Sequence, residues 1–191
     1  MARPKNGEYE ASALHRIESA FWIMLERDGF SNITMKALAA QAGINRNTLY
    51  YHYANLQEIS AAAFQNVIND NISDVFMDFL LSPPTDIGTV WGELQLSERI
   101  RKIHLFARSD SPLLRSMLKQ TILNRWFQKL EIQADRLSPG DLLQLDYIVN
   151  GFIGIVGSAT ILDDPPLLAS FTQSPIGRAA LQTLRQLAKN R

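Results

Sequence analysis

Apolar residues along the chain recur at intervals of three and four, the spacing of amphipathic helices, and no segment alternates as a half-buried strand would. The first such stripe consists of Leu14, Ile17, Phe21, Met24 and Leu25, after which Gly29 is suited to end the helix. Ser-Pro pairs at 111–112, 138–139 and 174–175 each place a capping hydroxyl before a proline at the first helical position. The pattern therefore predicts an all-α protein.

Two short helices separated by a turn are predicted between residues 34 and 53, in the sequence TMKALAAQAGINRNTLYYHY. Thr34 is a suitable N-cap for the first helix and Asn45 for the second. Gly43 can adopt the left-handed conformation that ends a helix. In the second helix only Leu49 and Tyr53, four residues apart, need to face inward. Its other side chains are polar or aromatic and are predicted to face outward.

This arrangement is typical of a helix-turn-helix, whose second helix enters the major groove of DNA with its N-terminal residues near the base edges. Arg46 has the chemistry to bind guanine, and Asn47 to bind adenine, through two hydrogen bonds each. Four further side chains could bond phosphate oxygens and fix the register without reading sequence, namely Thr48, Tyr50, Tyr51 and His52. Thr34 and Lys36 are also predicted DNA contacts. The alternative interpretation is an ordinary helical hairpin with an exposed polar face.

The region resembles the DNA-binding domain of TetR-family transcriptional regulators, in residue type and in spacing, at Gly29-Phe30, Ile33-Thr34, Leu38-Ala39, Ala42-Gly43-Ile44 and residues 48–53. The resemblance runs from about Ala11 to about Val67. It implies a helix-turn-helix head at residues 1–70, an all-helical effector-binding and dimerisation domain at residues 71–191, and a homodimer on a palindromic operator in double-stranded DNA.

Two details refine the resemblance. The segment AGINRNTLYYHY is most similar to the branch of the family that includes the dihydroxyacetone-kinase activator. The family commonly has a Lys that pairs with a phosphate just after the cap of the helix that follows the reading helix. Here Asn55, with Glu58 three residues on, is the predicted cap, and Leu56 takes the place of that Lys. This departure implies a weaker phosphate contact.

A nearly all-apolar segment runs from Leu142 to Leu162 and contains three glycines spaced by three. Small residues on one helical stripe let another helix approach closely, either within the chain or across a dimer interface. The resemblance favours the interface, because the family dimerises through its last two long helices, here about Pro139–Ile161 and Pro175–Asn190. The predicted interface residues are Tyr147, Gly151, Gly154, Gly157, Leu181 and Leu184.

A second segment, Arg99 to Arg136, is both basic and aromatic. Helical bundles place ligand sites between their helices, so aromatic residues of this region are candidates to line an effector pocket. The candidates are Phe76, Phe79, Trp91, His104, Phe106, Trp126 and Phe127. The alternative is that these side chains form core and the basic residues form a solvated face. A pocket with a basic rim would favour an anionic or carbonyl-rich effector.

Composition and charge narrow the range of possible functions. The net charge is zero, and residues 1–55 carry six Lys/Arg against five Asp/Glu, so the predicted head is only weakly basic. Residues 56–98 carry seven acids and no Lys or Arg, and residues 99–136 carry nine bases against three acids. There is no cysteine, and His15, His52 and His104 lack ligand spacing, so neither a metal nor a cofactor is predicted. No signal peptide or membrane span is expected, which favours the cytoplasm.

We therefore predict a dimeric, operator-binding transcriptional regulator, expected to be a repressor that a small molecule releases. The alternative is a coactivator that acts mainly through a protein partner, which the activator-like motif and the weak charge of the head also fit. An enzyme is disfavoured, because the sequence has no nucleophile–base pair, metal-ligand cluster or phosphate loop.

Overall fold

The computed structural model describes residues 6–68, 96–160, 164 and 166–189. In this part of the chain every regular element is a helix, which confirms the all-α prediction. The helices are α1 Asn6–Asp28, α2 Met35–Gln41, α3 Arg46–His52, α4 Leu56–Val67, α5 Leu96–Ala107, α6 Pro112–Lys129, α7 Pro139–Val156, α8 Pro166–Gln173 and α9 Pro175–Lys189. Two short 3-10 turns, Phe30–Asn32 and Ala134–Arg136, lie between them.

The chain divides into two compact units. The first, which we call the head, is Met1–Val67 together with Ser109–Ser111, and the second, the body, is Ile68–Arg108 and Pro112–Arg191. Among the described helices none is both long and apolar enough to cross a membrane.

In the head, α1 packs against α2 and α4, and α2 packs against α3. Its core consists mainly of Ala13, Ile17, Phe21, Leu25, Leu38, Leu49, Ile59, Ala63 and Phe64. Leu14, which the pattern assigned to the inner stripe, is exposed, and Ala13 occupies the inward position instead. Ala13 lies one turn before Ile17, so the buried stripe keeps its helical spacing.

The 3-10 turn at Phe30–Asn32 leads into α2 and has an unusual cap. Gly29 is the N-cap of the turn and has φ +77°. As a glycine it has no side chain that could cap the turn. The pKa of Asp110, whose carboxylate would lie 3.8 Å from a β-carbon at Gly29, is lowered, and the main cause is the Ser31 side chain. Burial opposes that shift, and the backbone N–H groups of Ser31 and Phe30 reinforce it. Asp110 thus stabilises the turn that enters the helix-turn-helix.

In the body, α5, α6 and α7 pack against one another, α8 packs against α9, and α9 also contacts α7. The helix predicted at Pro139–Ile161 ends at Val156, five residues early, with Gly157 as its C-cap. A β-carbon at Gly157 would lie 3.1 Å from the backbone of Ala107, so the end of α5 meets α7 where α7 stops. The last helix is described as far as Lys189, and Asn190, the predicted end, lies outside the described residues. The sequence also predicts that the helix starting at Leu56 continues to about Leu80, and residues 69–80 of that span lie outside the described residues.

Candidate nucleic-acid interface

The two helices of the motif are capped as the sequence predicts. The Thr34 hydroxyl oxygen accepts the Ala37 N–H at 3.2 Å, and the Asn45 side-chain oxygen accepts the Thr48 N–H at 2.7 Å. Each bond satisfies one of the N–H groups that the first turn of a helix leaves without an intrahelical partner. The lengths of α2 and α3 are therefore fixed by residues within the motif itself.

The turn between α2 and α3 is a Schellman motif. Gly43 has φ +63°, its N–H donates to Ala40 O at 3.1 Å, and the Ile44 N–H donates to Ala39 O at 3.0 Å. The Arg16 guanidinium of α1 donates to Gly43 O at 3.3 Å and so links the turn to the first helix. These bonds fix the direction in which the chain enters α3.

Helix α3 has a single buried side chain, Leu49. Tyr53, which the sequence also places inward, is half-buried; burial raises the pKa of its hydroxyl, and the charge of Glu18 adds to the rise. On the outward side, Tyr51 is 76% exposed and Tyr50 is 54% exposed. A helix with so little buried surface depends on its caps and on Leu49 for its position, and it presents most of its side chains to a partner.

The other predicted DNA contacts divide by exposure. Exposed side chains are Thr34, Lys36, Arg46 and Asn47, and half-buried ones are Thr48 and His52. The Tyr51 and His52 rings meet edge to face with centroids 5.0 Å apart. The Thr48 hydroxyl donates to the same Asn45 oxygen that caps the helix, at 3.0 Å. The predicted set thus lies on two consecutive short helices, and its members are placed, but their roles stay predictions.

The start of α4 differs in detail from the predicted capping box. Asn55 accepts the Glu58 N–H at 2.9 Å, as predicted. The Glu58 carboxylate, however, accepts the N–H of Ala54 at 2.7 Å rather than that of Asn55. Leu56 is half-buried at the first position of the helix, so no cation lies where the family commonly has one.

Few cations of the described head are available for phosphate. Arg27 forms an ion pair with Asp28 at 2.7 Å, and Arg16 is bound to the turn. Lys36 and Arg46 are exposed, and both lie within the first two residues of a helix of the motif. Phosphate neutralisation by the described residues would therefore rest mainly on these two side chains.

Residues 22–63 match the family model of the bacterial regulatory proteins of the tetR family. The match runs from the second half of α1 through α2 and α3 and into α4. The chain therefore carries a TetR-family DNA-binding head. The chain is a DNA-binding transcriptional regulator. Comparisons with curated proteins and with solved structures returned no match, so the similarity to the dihydroxyacetone-kinase activator branch stays a prediction.

The residues predicted to line an effector pocket are not grouped around one cavity where they are described. His104 and Phe106 are buried in the body, and the His104 Nδ1 donates to Val156 O at 2.8 Å. Trp126 is buried edge-on to Phe152, with centroids 6.3 Å apart, and Phe127 is half-buried. Phe76, Phe79 and Trp91 lie outside the described residues. Whether a pocket exists in that part of the body stays a prediction.

A groove of about 590 Å³ lies elsewhere in the body, between α7 and the pair α8–α9. Its walls are almost wholly apolar, and Trp126 is the one described pocket candidate that lines it. Four of the predicted dimer-interface residues line it as well, namely Tyr147, Gly151, Leu181 and Leu184. The groove therefore lies on the face that the sequence assigned to dimerisation.

The predicted interface residues differ in their surroundings. Tyr147 is 77% exposed, and a β-carbon at Gly151 or Gly154 would meet no atom of the described part of the chain within 4 Å. Leu184 is buried within the body, and Gly157 packs against α5, so both have intramolecular contacts. Two further groove residues, Leu143 and Ile176, are 73% and 67% exposed. Sequence reasoning missed this pair, although both are apolar residues in the first two turns of their helices.

Proposed function

We propose that the chain is a homodimeric repressor that binds a palindromic operator through α3 of each copy and leaves it when a small molecule binds the body. The main support is the construction of α3, which buries Leu49 alone and turns Asn47, Tyr50 and Tyr51 outward. Exposed amide and guanidinium groups at the start of such a helix match the pattern of donors and acceptors in the major groove. A helix that only completed a core would bury more of its surface.

Dimerisation through the α7–α9 face is supported by exposed apolar surface on the body. Leu143, Tyr147 and Ile176 are each more than two-thirds exposed around the groove. Gly151 lies inside α7, where glycine costs about 1 kcal/mol relative to alanine. A β-carbon at this position would meet no atom of the described residues within 4 Å, so packing within the described part of the chain does not require a glycine here. A second helix approaching this stripe in a twofold dimer would account for both features.

The symmetry of such a dimer determines the form of the DNA operator. Two copies related by a twofold axis present two α3 helices, so the operator has to be a palindrome with half-sites about one helical turn, roughly 34 Å, apart or a variation on that spacing. Release by an effector requires a dimer geometry in which the α3 helices no longer fit both half-sites, and an effector that binds this geometry better.

Selection from random duplex DNA tests the proposal. The full chain is expected to enrich a palindrome and to bind it as two copies per duplex, measured by sedimentation with labelled DNA. Tyr50→Ala and Gln65→Ala make a matched pair, because Gln65 is exposed in α4 and near its C-terminal end. Only Tyr50→Ala is expected to weaken binding. Failure to enrich any duplex, or saturation at one copy on a palindrome, would contradict the proposal.

Repression and effector response have separate tests. A reporter placed behind the enriched operator is expected to rise when the gene for the chain is deleted and to fall when it is restored. Native mass spectrometry of the protein purified without denaturation is expected to show a co-purified small molecule whose removal strengthens DNA binding. A reporter that falls on deletion would instead assign the chain to activation.

The coactivator interpretation has one structural observation in its favour. The main exposed cations of the described head outside the Arg27–Asp28 ion pair are Lys36 and Arg46, and Leu56 stands where a third cation is common in the family. Affinity for DNA from counterion release is then small, about two phosphates per copy. A pull-down that retains a protein partner through the full chain, together with failure to enrich DNA, would favour this second function.

A further inference from the structure

Thr48 is the third residue of α3, and its hydroxyl is already engaged. The Asn45 side-chain oxygen accepts both the Thr48 backbone N–H at 2.7 Å and the Thr48 hydroxyl at 3.0 Å. Two hydrogen bonds thus join Thr48 to one atom, the side-chain oxygen of the N-cap Asn45. Rotation of the hydroxyl toward another partner would break one of them.

This bond limits what Thr48 can do at DNA. A hydroxyl has a single proton to donate, and the oxygens of a phosphate diester only accept. A hydrogen bond from Thr48 to phosphate, which the sequence suggested, would therefore cost the bond to Asn45. The part of the Thr48 side chain that remains without a polar partner is its γ-methyl group.

The position of Thr48 on the helix places that side chain beside the reading face. At 100° per residue, Asn47 and Tyr51 lie about 160° from the buried Leu49, and Thr48 lies about 100° from it. Thr48 is half-buried, in agreement with this position at the edge of the face. It is also in the first turn, and the N-terminal part of a recognition helix approaches the base edges.

We propose that Thr48 is a specificity-determining residue that contacts the C5-methyl group of a thymine in each half-site through its own γ-methyl group. Thymine is the base that displays a methyl group in the major groove, and threonine is one of the residues that contact it. The inference rests on the proposed function, since it needs α3 to lie in the major groove. It assigns Thr48 to base reading and leaves phosphate contacts to other side chains.

Replacement of thymine by deoxyuridine tests this directly, because deoxyuridine lacks only the C5-methyl group. The operator enriched by the full-length chain is resynthesised with each thymine replaced in turn, symmetrically in both half-sites, and the dissociation constants are compared. Loss of one buried methyl contact is expected to weaken binding by about fourfold per half-site, and so by about fifteenfold for the symmetric duplex. At one thymine position in each half-site this loss of affinity is expected, because there the γ-methyl group of Thr48 loses its contact.

Two conservative variants separate the methyl group from the hydroxyl. Thr48→Ser keeps the hydroxyl that bonds to Asn45 and removes the methyl group, so at that position it is expected to bind the thymine and deoxyuridine duplexes equally. Thr48→Val keeps a methyl group and removes the hydroxyl, so it is expected to retain the wild-type ratio even if its affinity is lower. The ratio is measured within one protein, which makes it independent of the fraction that folds.

Each outcome has a definite meaning. A phosphate-binding hydroxyl would give the reverse pattern, with Thr48→Ser like the wild type and Thr48→Val losing affinity equally on both duplexes; that pattern overturns the inference. A wild-type ratio near one at every thymine overturns it too, while the enriched palindrome would leave the proposed function standing. No enrichment of any duplex overturns both.

Discussion

Gly151→Ala separates the stability of the single chain from the stability of the proposed dimer. In the single chain the new β-carbon meets no atom within 4 Å among the residues that the structure describes, and Gly151 lies well inside α7, which spans Pro139–Val156. Alanine is favoured over glycine in a helix interior by about 1 kcal/mol. The free energy of unfolding of the monomer is therefore expected to rise by about that amount.

The dimer is expected to respond in the opposite direction. If a partner helix lies against the glycine stripe, each added methyl group overfills a close contact, at a cost of about 1–3 kcal/mol. A twofold dimer contains the substitution twice, so the total is about 2–6 kcal/mol. The dimer dissociation constant is then expected to rise at least about thirtyfold.

Sedimentation velocity with a fluorescent label, over protein concentrations from nanomolar to micromolar, measures the dissociation constant. Denaturant titration below that constant measures the stability of the monomer. Gly140→Ala is the matched control, because Gly140 is an exposed glycine of the same helix that does not line the groove, and its β-carbon would make only an ordinary contact with Ser138 at 3.7 Å. A dissociation constant for Gly151→Ala equal to that of the wild type and of Gly140→Ala would refute the assignment of this face.

Three further substitutions test other parts of the structure. Gly177→Ala would place a β-carbon 2.1 Å from the backbone oxygen of Phe171, so the free energy of unfolding of the body should fall by about 3 kcal/mol; a denaturant midpoint like the wild type's would contradict this. Asp110→Asn removes a carboxylate whose pKa is lowered by Ser31, so the melting temperature of the wild type should exceed that of the variant at pH 7. The difference in melting temperature should vanish as the pH falls below about 3.9 and through the folded-state pKa of Asp110. An equal difference at every pH would contradict this prediction. Leu56→Lys should steepen the dependence of log K on log salt by about 0.9 for each copy bound, whereas Leu56→Gln should leave the slope unchanged; equal slopes in the two variants would exclude a phosphate near this position.

Most of the helix-turn-helix could be predicted from the sequence, because its geometry depends on neighbouring residues. Thr34 and Asn45 cap their helices with bonds to residues three positions away, and Gly43 adopts φ +63° in a turn that is closed locally. The same holds for Leu49, whose inward position follows from helical spacing. The bond from the Thr48 hydroxyl to Asn45 is also local, but residue type alone does not tell whether a threonine near a cap uses its proton there.

The parts that sequence could not supply depend on distant contacts. The run of apolar residues continues past Val156, yet α7 ends there, at the point where Gly157 lies close to the backbone of Ala107. The sequence does not distinguish an aromatic or histidine side chain that lines a cavity from one that fills a core. His104, a predicted pocket residue, is buried, and its ring is hydrogen-bonded to the main chain. Tertiary packing decides both outcomes.

The account as a whole depends on the outward face of α3 reading base sequence. The most direct measurement compares the affinities of the wild type and Asn47→Ala for the enriched palindrome and for a scrambled duplex of equal length and composition. Loss of one amide–adenine pair per half-site should weaken binding to the palindrome at least about 25-fold, with little change on the scrambled duplex. An equal loss on both duplexes, or no loss on either, would contradict the assignment of α3 as the reading helix.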